Sequence, residues 1–342
     1  MIKPQHFAAL AVAAVISVAL AFGLNAYYDS WALPTESGEA LAPTLDRNIN
    51  SVATIEFKQG DKSLTLVKAG TGWTVKERGG YPADGAKVAT FVRHLAATQL
   101  MEPRTRVKER FDLLELEAPT SKTSKSRQVR VLDTAGQVLA DVVLGKTKTE
   151  AFGSGRNGLY VRRSAEAQTW LASGEPRASF EVKDWVAPTF FSFDVANLRR
   201  IIYEHPGEPP LVAEKGAEKD TKLKLVEPVP AGKKLKDSAN IEGFPVAFAT
   251  IDLDDVRKLT ATPTGDQVST IRLETDKGLT ITMRARKDGD ATWASYSATG
   301  EGEAKKQADE LTAKGAGWEF KLPSWKVDSI LRKRADLYDA AS

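Results

Sequence analysis

Val52-Ala-Thr-Ile-Glu-Phe57, the break Gln59-Gly60-Asp61 and the answering Ser63-Leu-Thr-Leu-Val67 decide how this chain folds. Apolar and polar residues alternate on both sides of a glycine turn, the signature of an antiparallel hairpin with one buried face. Trp73-Thr-Val75 adds a third short strand. Asp84, just after Pro82, supplies an N-cap, and Val88, Phe91, Val92 and Leu95 then fall on one helical stripe. The outcome is a β-β-β-α unit.

A second block follows. Gln128–Leu132 and Val138–Leu144 flank a turn at Asp133–Gly136, and Leu159-Tyr-Val161 continues the strand pattern. Trp170 and Leu171 read as a short helix, and Phe180–Val186 leads into another. Both blocks then recur about 140 to 146 positions later. Leu198–Tyr203 has the spacing of Val52–Phe57, Asp252–Leu259 takes the place of the Asp84 helix, and Ile271–Met283 mirrors the hairpin around Gly136. Phe320–Trp325 echoes Phe180–Trp185. The expectation is an α+β protein of two tandem, structurally similar halves, 45–193 and 194–342, each with antiparallel β-sheets and packed helices.

Ahead of these halves lies an uncharged run, Phe7–Leu24. As a helix it would span roughly 27 Å, the thickness of a bilayer core. Lys3 precedes it with no acidic residue alongside, which favours a cytoplasmic N-terminus. The segments expected are a cytoplasmic stub at 1–6, a transmembrane anchor at 7–24 and a linker at 25–44. A cleaved signal is the alternative, although Leu24-Asn25-Ala26 is a poor cleavage site. The expected location is the inner membrane, single-pass, with the bulk of the chain periplasmic.

Composition narrows the function classes. The 342 residues contain no cysteine, so disulfides, thiol nucleophiles and cysteine metal sites are excluded. Lys+Arg 48 against Asp+Glu 45 argues against a nucleic-acid partner. His6, His94 and His205 are scattered and show no ligand spacing. Phe152–Gly158 lacks the Lys-Ser/Thr pair of a phosphate loop, and Asp252, Asp254 and Asp255 lack the spacing of a calcium loop. No catalytic residue, metal or cofactor is assigned. Trp73, Trp170, Trp185, Trp293, Trp318 and Trp325 recur at element starts and read as core anchors. Arg104, Arg106, Lys108 and Arg110 alternate, so an extended strand would present them on one face to an acidic partner or anionic surface.

Trp73-Thr-Val, Tyr81-Pro-Ala-Asp84, Arg110-Phe-Asp-Leu113 with Pro119, Val138…Leu144-Gly145, Leu159-Tyr-Val-Arg162 and Lys183-Asp-Trp185 follow one another in a familiar order. In this the chain resembles a bacterial family catalogued only as a domain of unknown function, number four-three-four-zero. The resemblance covers residues 45–205 well and the second half more loosely. It implies a single-anchor envelope protein associated with ABC transporter auxiliary components of the gliding-motility type. It carries over no catalytic residue. The chain departs from the pattern at Ser121–Arg127 and in the charged stretch Glu204–Asn240. The functional expectation is therefore a non-enzymatic, membrane-anchored periplasmic accessory or scaffold protein beside an inner-membrane ABC-type transport complex. The alternative is a periplasmic binding module for an envelope lipid or polysaccharide.

Overall fold

In a computed structural model, the structure describes residues 38–340 apart from 154, 217–221 and 266. The first sheet uses β1 (Glu39–Ala40), β2 (Val52–Gln59), β3 (Lys62–Ala69), β4 (Gly72–Val75), β5 (Tyr81–Ala83), β6 (Gln99–Pro103), β7 (Arg127–Asp133), β8 (Val138–Lys148), β9 (Gly158–Arg163) and β10 (Thr169–Ser173). Its order is β1-β6-β10-β9-β8-β7-β2-β3-β4-β5. After β11 (Thr189–Ser192) come β12 (Leu198–Glu204), β13 (Leu211–Lys215), β14 (Leu223–Leu225), β15 (Lys233–Leu235), β16 (Thr250–Asp252) and β17 (Asp255–Lys258). The chain ends with β18 (Val268–Thr275), β19 (Thr280–Asp288), β20 (Ala291–Thr299), β21 (Trp318–Lys321) and β22 (Tyr338–Ala340). The second sheet runs β14-β13-β12-β18-β19-β20-β21-β17.

Place for place this order matches β4-β3-β2-β7-β8-β9-β10-β6 of the first sheet. Each duplicated unit starts with a meander, β2 to β5 in the first sheet and β12 to β14 in the second, after which β6 or β17 crosses to the far side. Four further strands then fill the space between. Every pairing is antiparallel. One continuous apolar core runs through both, from Ile55, Phe57 and Leu66 to Ile271, Met283 and Phe320.

The α+β expectation is corrected: the described chain is mostly antiparallel β with few helices. Asp252–Leu259 is not a helix but the end of β16 and the strand β17. Leu253 and Val256 fit a helical stripe and a broken strand equally well, and pairing of Val256 with Phe320 decides the matter. Trp170 likewise lies in β10, hydrogen-bonded on both sides to β9 and β6. The expected linker is partly structured, since its residues Leu41 and Ala42 belong to the core.

The expected membrane span at 7–24 lies outside the described residues. Among those described, no helix is long and apolar enough to cross a membrane. The longest, Gly85–Ala96 and Ala304–Gly315, have 12 residues each, against the roughly 20 that a bilayer core requires. The expectation of a single-pass inner-membrane protein is corrected accordingly.

Edge strand β17 is held by charge. Glu319 on β21, 1% exposed, accepts from Arg257 Nε at 2.8 Å and from Arg286 Nε and Nη2 at 3.0 Å each. Arg257 also pairs with Asp288 at 2.7 Å and lies over the Trp293 ring. Burial pushes the Glu319 carboxyl up, but the hydrogen bonds and charges of Arg286 and Arg257 outweigh it and hold the group below its ordinary value. A depressed folded-state pKa contributes stability above the unfolded pKa that is lost as pH falls through the folded one. Glu319→Gln is expected to cost about 1–3 kcal/mol at neutral pH and to flatten the acid limb of stability. Urea midpoints measured across pH check both.

Candidate functional site

Beyond Pro103 the chain leaves the first sheet and returns only at Arg127. This strap, residues 104–126, lies over the outer face of the sheet. Its start is sutured to β10: Arg104 N–H donates to Thr169 O (2.8 Å), and Thr169 N–H and Oγ1 donate to Thr105 O (3.0 and 2.7 Å). Turns at Lys108–Arg110 and Asp112–Leu114 then press Phe111 and Leu116 onto Val143, with Leu114 and Tyr160 packed around them. Arg162 clamps the middle, donating from Nε to Leu116 O at 3.0 Å with its guanidinium over the Phe111 ring. At the far end Glu117 Oε1 accepts from Ser124 Oγ and from the amides of Lys125 and Ser126. Burial pushes this carboxyl up, yet those donors hold it below its ordinary value.

The Arg104–Arg110 residues do not form the expected strand. β6 stops at Pro103, and Lys108–Arg110 is a helical turn. The turn nevertheless brings Arg104, Arg106 and Arg110 round one groove of about 570 Å³ with Thr105, Leu113 and Leu114. Lys108 does not line it. Arg104 pairs with Glu102, and Arg106 Nε donates to Gln168 Oε1 at 2.5 Å. Arg110 has no ion-pair partner among the described residues. Leu113 is 61% and Val107 47% exposed beside it. The groove therefore offers guanidinium donors and apolar surface together, chemistry suited to an acidic segment with apolar anchors.

A second concavity, of about 610 Å³, lies between the Gly85–Ala96 helix and the linker that joins the two sheets. Lys87, Thr90, Phe91 and His94 form one wall, and Glu175, Arg177, Ser179 and Asp184 form much of the other. Sequence reading missed this cleft. The signal was present in the polar face Lys87-Thr90-His94 of an otherwise packed helix, but the facing residues lie about 90 positions away. Within it the Ser179 hydroxyl donates to Asp184 Oδ2 at 2.5 Å and accepts from the Glu181 amide. That hydroxyl is a turn cap. His205, by contrast, is buried, with Nδ1 on Ser269 Oγ and Nε2 on Arg332 O. Among the described residues no cluster of three His, Asp or Glu side chains could hold a metal, and His6 lies outside them.

The core-anchor reading of the tryptophans holds for Trp185, with Trp73, Trp170 and Trp318 packed half-buried against the core, but not for Trp293 or Trp325. Trp185 is buried, whereas Trp325, its counterpart in the second half, is 76% exposed. The short helix Ser324–Ile330 carries its indole outward, away from the apolar side that buries Ile330.

The family model described as "Domain of unknown function (DUF4340)" matches residues 73–244. The chain belongs to this family. The match opens at the β4 tryptophan, takes in the DUF4340 strap, cleft and linker, and closes at Phe244 in the second half. It thus begins later and reaches further than the 45–205 of the sequence resemblance. No curated protein and no solved structure matches the chain.

Gly145 decides whether the strap can lie down, because a Cβ there would run into the Leu114 carbonyl oxygen. Gly145→Ala is expected to lift the strap and cost about 1–3 kcal/mol. Amide exchange should quicken across residues 111–116 and stay unchanged in β12 and β18.

Proposed function

We propose that this DUF4340 protein is a non-enzymatic accessory or scaffold protein that acts by binding, with the strap as its contact face for a partner protein. The observation that carries this reading is the groove itself. Three guanidinium groups and an exposed leucine sit on a segment fixed at both ends and in the middle. Groups held this way lose little further entropy when a partner arrives. The second sheet has only the short connection 259–267 at the corresponding place, so the strap is an addition to the duplicated plan. The partner we favour is a subunit of an ABC-type transport complex carrying an acidic segment with apolar anchors, in line with the family resemblance. Guanidinium–carboxylate contacts would set orientation and on-rate, and Leu113 and Val107 would supply apolar burial.

A photo-crosslinking residue at Leu113 of the full chain, in the cell of origin, tests this. The expected product is one transport-complex subunit, crosslinked through an acidic segment. Arg106→Glu with Arg110→Glu should reduce the yield by about tenfold or more. An unchanged yield after charge reversal, or crosslinks to no such subunit, overturns the reading.

A further inference from the structure

The cleft along the Gly85–Ala96 helix has walls fixed before any ligand arrives. Lys87 Nζ donates to Lys183 O (3.0 Å) and Val186 O (2.8 Å), and Asp84 N–H donates to Trp185 O at 2.7 Å. The indole Nε1 of Trp185 donates to Ser179 O at 3.0 Å, which sets the linker against the helix. At about 610 Å³ the space lies within the range of small-molecule sites.

Its polar groups are only partly spent. Arg177 has a side chain 90% exposed, and its one ion-pair contact among the described residues is Glu175 at 4.0 Å. The His94 ring has no partner among the described residues. Asp184 uses Oδ2 for Ser179 and keeps Oδ1, while Glu175 Oε1 accepts from Asn157 Nδ2. Free donors and free acceptors therefore face the same space. A simple anion placed there would meet two carboxylates, and a simple cation would meet Arg177 and Lys87. Hydroxyl groups avoid both conflicts, because each donates to a carboxylate while accepting from a guanidinium or imidazole. Phe91 and Trp185 line the same space and give it an apolar floor for the C–H face of a ring.

We propose that this cleft is a glycan-binding site that takes a sugar ring or a short neutral oligosaccharide. Arg177 and His94 serve the acceptor oxygens, and Asp184 and Glu175 take the hydroxyl protons. The site shares no residue with the strap, so loss of glycan binding and loss of partner crosslinking are read separately.

The test uses the full chain and three probes, the trisaccharides of glucose, mannose and N-acetylglucosamine, in saturation-transfer NMR with tryptophan fluorescence in parallel. At least one probe is expected to receive saturation through its ring protons. Its affinity should fall about tenfold in Arg177→Ala and in Asp184→Asn. The Arg177 side chain is 90% exposed, so its variant keeps the wild-type melting temperature and remains informative even if Asp184→Asn disturbs the Ser179 turn. No transfer to any probe overturns the proposal. So does equal affinity in Arg177→Ala, or displacement of the sugar by inorganic phosphate at equal concentration.

Discussion

Trp185 is the side chain on which the arrangement of this molecule depends. Its ring lies 4.9 Å from Phe57 and 5.4 Å from Phe91, centroid to centroid, joining the sheet to the helix that covers it. A buried indole of this kind removes some 150–250 Å² from water, worth about 4–6 kcal/mol. Its N–H is satisfied by Ser179 O and its carbonyl by the first amide of the helix cap. One residue thus fixes where the helix starts, where the linker runs and how wide the cleft between them is. From there the linker reaches Pro188, whose carbonyl accepts from Leu253 N–H and sets the position of the second half.

The two sheets then meet along their sides. Arg78 makes two hydrogen bonds to Asp255, at 2.7 and 3.0 Å, and the hydrogen bond to that carboxylate raises its pKa against the effect of burial. Tyr81 stands edge-on to Trp318, with Lys258 above the same indole. These contacts join the Lys76–Arg78 turn to β17 and β5 to β21, so the apolar core passes between the sheets without a break. Since β17 is an edge strand, its place rests on the Glu319 cluster from one side and on Arg78 from the other. Charge does here what further strand pairing does in the interior of each sheet.

Local chemistry was legible where it sufficed to fix structure. The β2–β3 hairpin stands as the alternation implied, with Phe57 opposite Leu64 across the turn at Gly60. Asp84 caps the helix by accepting from the Ala86 and Lys87 amides. The failures came where two periods fitted the same residues and distant partners chose between them. Leu253 with Val256, and Trp170 with Leu171, were such cases. The basic residues illustrate a further limit. Their alternation suggested a strand face, but Pro103 ends the strand, and the groove arises from turns that the small residue Gly145 permits from another part of the sequence. The cleft was illegible because its two walls are separated by the whole of β6–β10.

Comparison of the two halves shows where packing alone explains the chain and where it does not. The common strand order follows from the need to bury one face of each sheet, and the second half meets part of that need with the Ala304–Gly315 helix through Ala308 and Leu311. The strap answers to no such need. Ordering one residue costs about 1–2 kcal/mol of backbone entropy, a sum over residues 104–126 that Phe111, Leu116 and Val143 alone do not offset by apolar burial. Backbone hydrogen bonds to β10, the Arg162 clamp and the Glu117 cap are needed to hold it. A segment fixed by so much polar chemistry, with arginines and leucine left facing water, is poorly explained as cover for a sheet. Under the function proposed above it is a surface kept ready for a partner, and it lies wholly within the stretch that the family model matches.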